Sequence, residues 1–311
     1  MHSAYGTRLL SIGEIFDRAV HLTIAKLVPL AAIVGVVNVP TRAIADWIDR
    51  DGLARYFVVD GKIVADPRLL ADYFALMRDP NAHLFNWPDQ IWFMVSLFPM
   101  ALSFAAASIA SREFLNGDKT TLGAAYRISI RRLAPVIGAN ILSFALYLAA
   151  FAVAIVLLLI LFLVLKAAGG ATDSAVVGIS TMSLVGLMIL WIAPLSNCTT
   201  TGAALYAIRP VRALREAWAM TMTRGLRWRS LALGAALLAV TAVQEIMRTV
   251  LCGFLSDVTH APWLSFVASD AITLLALIIV MALAVVFYLD ARNRAGLIQD
   301  PLAGQENSQA R

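Results

Sequence analysis

Residues 133–165 form a run of 33 positions without one charged side chain, residues 174–208 a second run of 35, and residues 271–289 a third of 19. An α-helix crosses the roughly 30 Å hydrocarbon core of a bilayer in about 20 residues, so each run is long enough to span a membrane. Charged residues make up 14% of the chain and hydrophobic ones 60%, against about 25% charged in ordinary soluble domains. Apolar segments near 24–44, 89–111, 136–164, 175–197, 231–253 and 267–289 predict six transmembrane helices. The 33-residue run exceeds a single span, so part of it must tilt, lie in the interface or project beyond the membrane. A buried bundle inside a soluble protein is set aside, because six such runs cannot all hide within 311 residues.

The net charge of +5 does not point to nucleic acid, because the basic residues are distributed by side. Residues 112–132 hold Arg112, Lys119, Arg127, Arg131 and Arg132 against two acids, and residues 209–229 hold six arginines against Glu216 alone. Arg8, Arg18 and Lys26 at the start, and Arg292, Arg294 and Arg311 at the end, fall on the same side of a six-span layout. The opposite side has short connections with Lys166 and Arg248, and one long loop, 45–88, richer in acids than bases. The positive-inside rule places both termini in the cytoplasm of a bacterial inner membrane, with the basic side facing anionic headgroups. Glu14 and Asp17 precede the first apolar run and no cleavage site follows a short apolar region, so the first span is expected to stay in the protein.

Three short segments before apolar runs resemble one another: Ile12 to Phe16, Leu122 to Tyr126 and Leu214 to Trp218. Each opens with an aliphatic residue, places an aromatic four positions on and is followed by basic residues; the spacings are 110 and 92. Residues at i and i+4 share a helix face, which suits a short amphipathic helix in the interface. The pattern predicts an all-α polytopic fold of three repeats, each an elbow helix followed by a transmembrane hairpin. The plainer alternative is that basic amphipathic segments precede spans in any membrane protein. In the long loop, two β-prone runs flank Asp60-Gly61, a hairpin turn signal. Asp66-Pro67 then opens a helix with the apolar stripe Leu69, Leu70, Tyr73, Phe74 and Met77. This loop reads as a small extracytoplasmic hairpin and helix capping the bundle, with a lid over a pathway as the alternative. The tail 300–311 reads as disordered and cytoplasmic.

Thr241, Glu245, Arg248 and Cys252 fall on one face of the fifth span, with Asp270 at similar depth in the sixth. Ionisable groups at membrane depth pair with one another or line a wet path, so this cluster is either a solute or proton path or an ion-paired clamp near the outer headgroups. Asn38 with Pro40 in span 1, Asn140, Ser143 and Tyr147 in span 3, and the polar inner end of span 4 around Pro194 and Cys198 read as helix–helix glue. Four scattered histidines and two cysteines at opposite depths argue against a metal site or a disulfide. No phosphate loop, His-Glu-x-x-His or nucleophile elbow occurs, and no cofactor is expected.

Span 6 ends Phe287-Tyr288-Leu289-Asp290-Ala291-Arg292-Asn293-Arg294-Ala295-Gly296. This resembles the Tyr-x-Asp-x-Arg-x-Arg ending of a bacterial six-span family similar to the membrane domain attached to some glycerophosphoryl diester phosphodiesterases. Gly13 to Ala19 resembles that family's first elbow and Ala213 to Trp218 its third, so the likeness covers nearly the whole chain. Ala295 stands where the family places an acidic residue, and the 45–88 loop is longer than the resemblance leads one to expect. The resemblance implies fold and location rather than activity; the hydrolase's own barrel, about 250 residues, has no counterpart here. Asp290 and Arg292 are expected to form a local ion pair capping span 6.

These features predict a non-enzymatic integral membrane protein, acting as a lipid-interacting scaffold or as the membrane subunit for a partner at its cytoplasmic face. The candidate headgroup or partner contacts are Arg127, Arg131, Arg132, Arg209, Arg212, Arg215, Asp290, Arg292 and Arg294. A small-solute transporter or channel, resting on Thr241, Glu245, Arg248 and Asp270, is the first alternative. A lipid-modifying enzyme is the second.

Overall fold

The computed structural model describes residues 10–52, 58–59, 62–63, 87–167, 174–222, 226–259 and 262–295. Among them are nine helices: α1 (Ile12–Ala25), α2 (Leu27–Gly52), α3 (Trp87–Leu115), α4 (Leu122–Arg131), α5 (Leu133–Ala167), α6 (Ser174–Tyr206), α7 (Pro210–Met222), α8 (Arg227–Thr259) and α9 (Pro262–Arg294). Two short strands, β1 (Val58–Val59) and β2 (Lys62–Ile63), pair antiparallel with Val58 opposite Ile63. The Asp60-Gly61 turn, the helix expected after Asp66 and the C-terminal tail 300–311 lie outside the described residues.

The fold is a bundle of long apolar helices with three short ones wedged against one end. Among the described residues, three helical segments, Leu133–Ile160, Arg227–Leu251 and Val267–Arg294, are long and apolar enough to cross a membrane. The pair Ile12–Ala25 and Leu27–Thr41, bent by 78°, makes a fourth if counted as one span. That bend falls at Lys26, so the first apolar run begins its long helix at Leu27 rather than at residue 24.

The distribution of buried surface says what surrounds the bundle. Only 11% of an apolar 18-residue window within Leu133–Ile160 is buried inside the protein, and Ile141, Leu148, Phe151, Val156, Leu159 and Ile160 are all exposed. Exposing one such side chain to water instead of an apolar medium costs about 1.5–3 kcal/mol. A whole face of them is compatible with a hydrocarbon surround. In contrast, 56% of an apolar 18-residue window within Val267–Arg294 is buried, and residues 281–288 of α9 are buried without interruption. That stretch of α9 is buried on every face and so lies inside the bundle.

Close helix approach is made by small residues. On α3, Ala101, Ser103, Ala105, Ala106, Ala107, Ser108, Ala110 and Ser111 are buried, as suits interfaces where backbones must meet. Asn38 Nδ2 donates both to the Val34 carbonyl and to Ser103 Oγ, each at 2.8 Å, tying α2 to α3. Its bond is to Val34 and not to the carbonyl of Val36 that Pro40 leaves without an i+4 donor. The tightest approach is between α8 and α6, where a Cβ on Gly234 would lie 2.2 Å from the Leu190 carbonyl oxygen. Pro194, four residues after Leu190, has no N–H to give that carbonyl. The glycine lets the neighbouring backbone press against the acceptor that the proline has orphaned.

The three short helices start where sequence chemistry starts them. Ser11 and Glu14 form a reciprocal capping box on α1, with Ser11 N donating to Glu14 Oε2 at 2.6 Å and Glu14 N to Ser11 Oγ at 3.2 Å. Thr121 caps α4 through the Ala124 N–H, and Pro210 occupies the first position of α7. Ile15 and Ala19 on α1, Ala125 and Ser129 on α4, and Ala217 and Thr221 on α7 are buried. The expected aliphatic–aromatic face is only partly inward. Tyr126 donates its hydroxyl to the Ile33 carbonyl and Phe16 packs on the core, but Trp218 is exposed.

Candidate functional site

At the end of the bundle that carries the short helices, Asp290 on α9 is buried to 4% exposure. Its Oδ1 accepts the Leu10 backbone N–H at 2.9 Å. Its Oδ2 accepts from Arg294 Nε at 2.8 Å and Arg229 Nη1 at 3.3 Å. Arg229 and Arg294 both also donate to the Leu10 carbonyl. One carboxylate and two guanidiniums thereby clamp Leu10, just before the N-cap of α1, to the start of α8 and the end of α9.

This corrects the expected Asp290–Arg292 pair. Residues two apart on a helix point to different sides, and it is Arg294, four positions on, that meets Asp290. Arg292 instead lays its guanidinium 3.5 Å from the centroid of the Tyr206 ring at the end of α6. It is 8% exposed, and its Nε and Nη1 are buried without hydrogen-bond partners. Arg112 approaches the same ring at 5.1 Å, so one phenol carries two cations.

Arg132 also turns inward. Its Nη1 donates to the carbonyls of Ala204 at 2.9 Å and Leu205 at 2.5 Å, two of the four acceptors that a helix C-terminus leaves unpaired. Burial, and after it the neighbouring Arg112 charge, lower the Arg132 pKa from its ordinary value. Just beyond this cap, Ala207 adopts φ 51°, the left-handed position at which helices commonly stop and for which glycine is favoured. The turn brings the chain back through Ile208 and Arg209 into α7.

That turn walls a cleft of about 620 Å³ lined by Tyr206, Ala207, Ile208, Arg209, Val211, Arg212, Arg215, Glu216 and Arg292. Four arginines face a single carboxylate there, and Glu216 Oε1 is already engaged by Arg212 Nε at 3.0 Å. Arg209, Arg212 and Arg215 are exposed, as are Arg127 and Arg131 on α4. Of the nine residues named from sequence as headgroup or partner contacts, then, five remain on the surface. Arg292 lines the cleft, and Arg132, Asp290 and Arg294 hold the fold together.

Of the cluster expected on the fifth span, two members pair along their own helix. Glu245 and Arg248 pair at 2.8 Å along α8 with side chains 48% and 47% exposed. Thr241 Oγ1 is turned back to the Leu237 carbonyl, and Asp270 is half-buried on α9. One contact between the two helices at this level is from Gln244 Nε2 to Thr273 Oγ1 at 3.4 Å, which sequence reasoning missed. Neither the basic cleft nor an apolar cavity of about 280 Å³ between α5 and α6 is lined by any of the four residues. Cys198 is a buried free thiol, and among the described residues no group of acids, histidines and cysteines is placed to hold a metal ion. Against known proteins the chain finds no counterpart: no family model, no curated protein and no solved structure matches it.

Proposed function

We propose that this chain is a non-enzymatic, multi-pass protein of a bacterial inner membrane that presents a basic, headgroup-facing end to anionic lipids, as a scaffold or as the membrane subunit for a partner. The observation that carries this reading is the pairing of an unburied apolar flank on α5 with the exposed Arg127, Arg131, Arg209, Arg212 and Arg215 at one end of the bundle. Apolar surface selects hydrocarbon, and each cation near an anionic leaflet adds about 1 kcal/mol.

In this reading α2, α3, α5, α6, α8 and α9 are six spans. At about 1.5 Å per residue, α3 with 29 residues and α6 with 33 are long enough to join the segments already described. Helices α1, α4 and α7 are the three elbows of a repeat. Burial supports the alignment. Positions three and seven after the aligned aliphatic residue are Ile15 and Ala19, Ala125 and Ser129, and Ala217 and Thr221, and all six are buried. Both termini then lie on the cytoplasmic side. The likeness of the α9 ending to the membrane domain attached to some glycerophosphoryl diester phosphodiesterases agrees with this layout. The outward placement of Glu245 and Arg248 weighs against a transport path through them.

The test is reconstitution into vesicles of zwitterionic lipid containing a minority of anionic lipid, followed by native mass spectrometry of the lipids that leave with the protein. Enrichment of anionic lipid, reduced when Arg127 and Arg131 are replaced by Gln, is the expected result. Unselective lipid carry-over would overturn the headgroup reading.

A further inference from the structure

The Tyr206–Arg292 cleft joins two features that are separate in sequence. Its floor is the first turn of α7, a helix of 13 residues. Pro210 has no N–H, and the Val211 and Arg212 amides precede the first intrahelical bond, which Ala213 N makes to Arg209 O at 2.9 Å. Helix amides of this kind, at the positive end of the dipole, bind anions. Its wall is Arg292, more than nine-tenths buried, with Nε and Nη1 lacking partners.

Cations outnumber acids around the wall, although the Glu113 carboxylate acts on Arg132 from one side. Arg292 and Arg112 share the Tyr206 ring, and Arg132 is bonded to carbonyls one and two residues before it. Asp290, the nearest acid along α9, is committed to Arg229 and Arg294. Glu216 is bridged to Arg212 through one oxygen, while its Oε2 is buried without a partner. It reduces the charge of the cleft and leaves three arginines in excess over the lining residues. A buried cation with unsatisfied donors is costly, and an anion in the cleft offsets that cost.

We infer that this cleft binds a phosphate group, held by Arg292 and by Arg209, Arg212 and Arg215 above the first-turn amides of α7. Planar guanidiniums match phosphate oxygens in pairs. A volume of about 620 Å³ accommodates a phosphate ester with its first substituent. The source of the phosphate is a lipid headgroup or a soluble ester, and this inference deepens the headgroup reading above by assigning one stoichiometric site.

The test uses the full chain in detergent at constant ionic strength, reading the thermal unfolding midpoint against inorganic phosphate and, separately, against dihexanoyl phosphatidic acid. Arg292→Gln and Arg215→Gln are compared with Lys119→Gln, an exposed cation outside the cleft lining and outside the named headgroup contacts. A saturable rise with both ligands, with apparent Kd at least tenfold weaker in the two cleft variants and near wild type in Lys119→Gln, assigns the site to phosphate itself. The same pattern with phosphatidic acid alone assigns it to a lipid headgroup. No saturable rise with either, or a rise equally weakened by Lys119→Gln, or one unchanged in Arg215→Gln, overturns the inference. If Arg292→Gln does not fold, the exposed Arg215 carries the comparison. Phosphate binding in detergent without anionic-lipid enrichment from vesicles would keep the cleft and remove the general headgroup reading; enrichment without saturable binding would do the reverse.

Discussion

The Asp290 carboxylate accepts the backbone N–H of Leu10 across 280 residues of sequence, at 2.9 Å and out of contact with solvent. The same carboxylate holds Arg229 and Arg294, so the beginning, the last third and the end of the chain meet at one buried charge. Removing one partner of such a group leaves the others buried and uncompensated, at about 3–5 kcal/mol. Asp290→Ala is therefore expected to lower the unfolding midpoint in detergent more than any single replacement of an exposed arginine. Asp290→Asn, which keeps an acceptor for Leu10 N–H, is expected to fall between the two. An Asp290→Ala protein as stable as wild type would contradict the clamp.

Gly234→Ala tests the α6–α8 approach. Its Cβ would meet the Leu190 carbonyl oxygen at 2.2 Å, and backbone cannot rotate away as a side chain can. A loss of about 1–3 kcal/mol is expected from overpacking. Gly186→Ala, where nothing lies within 4 Å of the added carbon, is expected to stay within about 0.5 kcal/mol of wild type. Equal effects at the two sites would sink the argument.

Ala207→Gly is expected to stabilise. The left-handed conformation at φ 51° costs an L-residue about 1–2 kcal/mol, and part of the gain is returned as the extra chain entropy of glycine. A net rise of roughly 0.5–1 kcal/mol is expected from chemical or thermal unfolding.

Tyr126 offers a pH test at α4. Burial raises its phenol pKa from 10.0 to about 12, and its hydroxyl donates to the Ile33 carbonyl. The folded protein holds this proton more tightly than the unfolded chain. Stability from this group is therefore full below pH 10 and is lost as pH rises from about 10 towards about 12. Tyr126→Phe is expected to cost about 1 kcal/mol at neutral pH, the worth of one hydrogen bond. It is also expected to flatten the alkaline decline relative to wild type.

Glu245→Ala and Arg248→Ala are expected to change stability by no more than about 0.5 kcal/mol, because exposed pairs at helical spacing are worth little. Neither variant is expected to alter solute flux in proteoliposomes. Abolished flux in a folded Glu245→Ala protein would restore the transport alternative.

What was legible in the sequence is what depends on neighbours along the chain. The long helices follow from uncharged runs, and the short ones from Ser11 with Glu14, Thr121 and Pro210, whose signals are complete within four residues. The register of Asp290 was also within reach, since Arg294 and not Arg292 stands one turn away. What was hidden depends on distant meetings. Nothing near Gly234 names Leu190, and nothing in the run from Thr199 to Tyr206 says that Arg132 will cap its carbonyls. Nor does the basic segment 209–215 show that Arg292 completes a cleft with it. The stripe Thr241, Glu245 and Arg248 was correctly placed on one helix, but helical spacing does not say whether a face turns inward, and this one turns out.

The most direct test of the membrane account is a density map of the full chain in a nanodisc containing anionic phospholipid. The account predicts six crossings, with α1, α4 and α7 lying in one headgroup layer and a phosphate-sized density between Arg292 and Arg215. Fewer than six crossings, or short helices divided between the two leaflets, would contradict it.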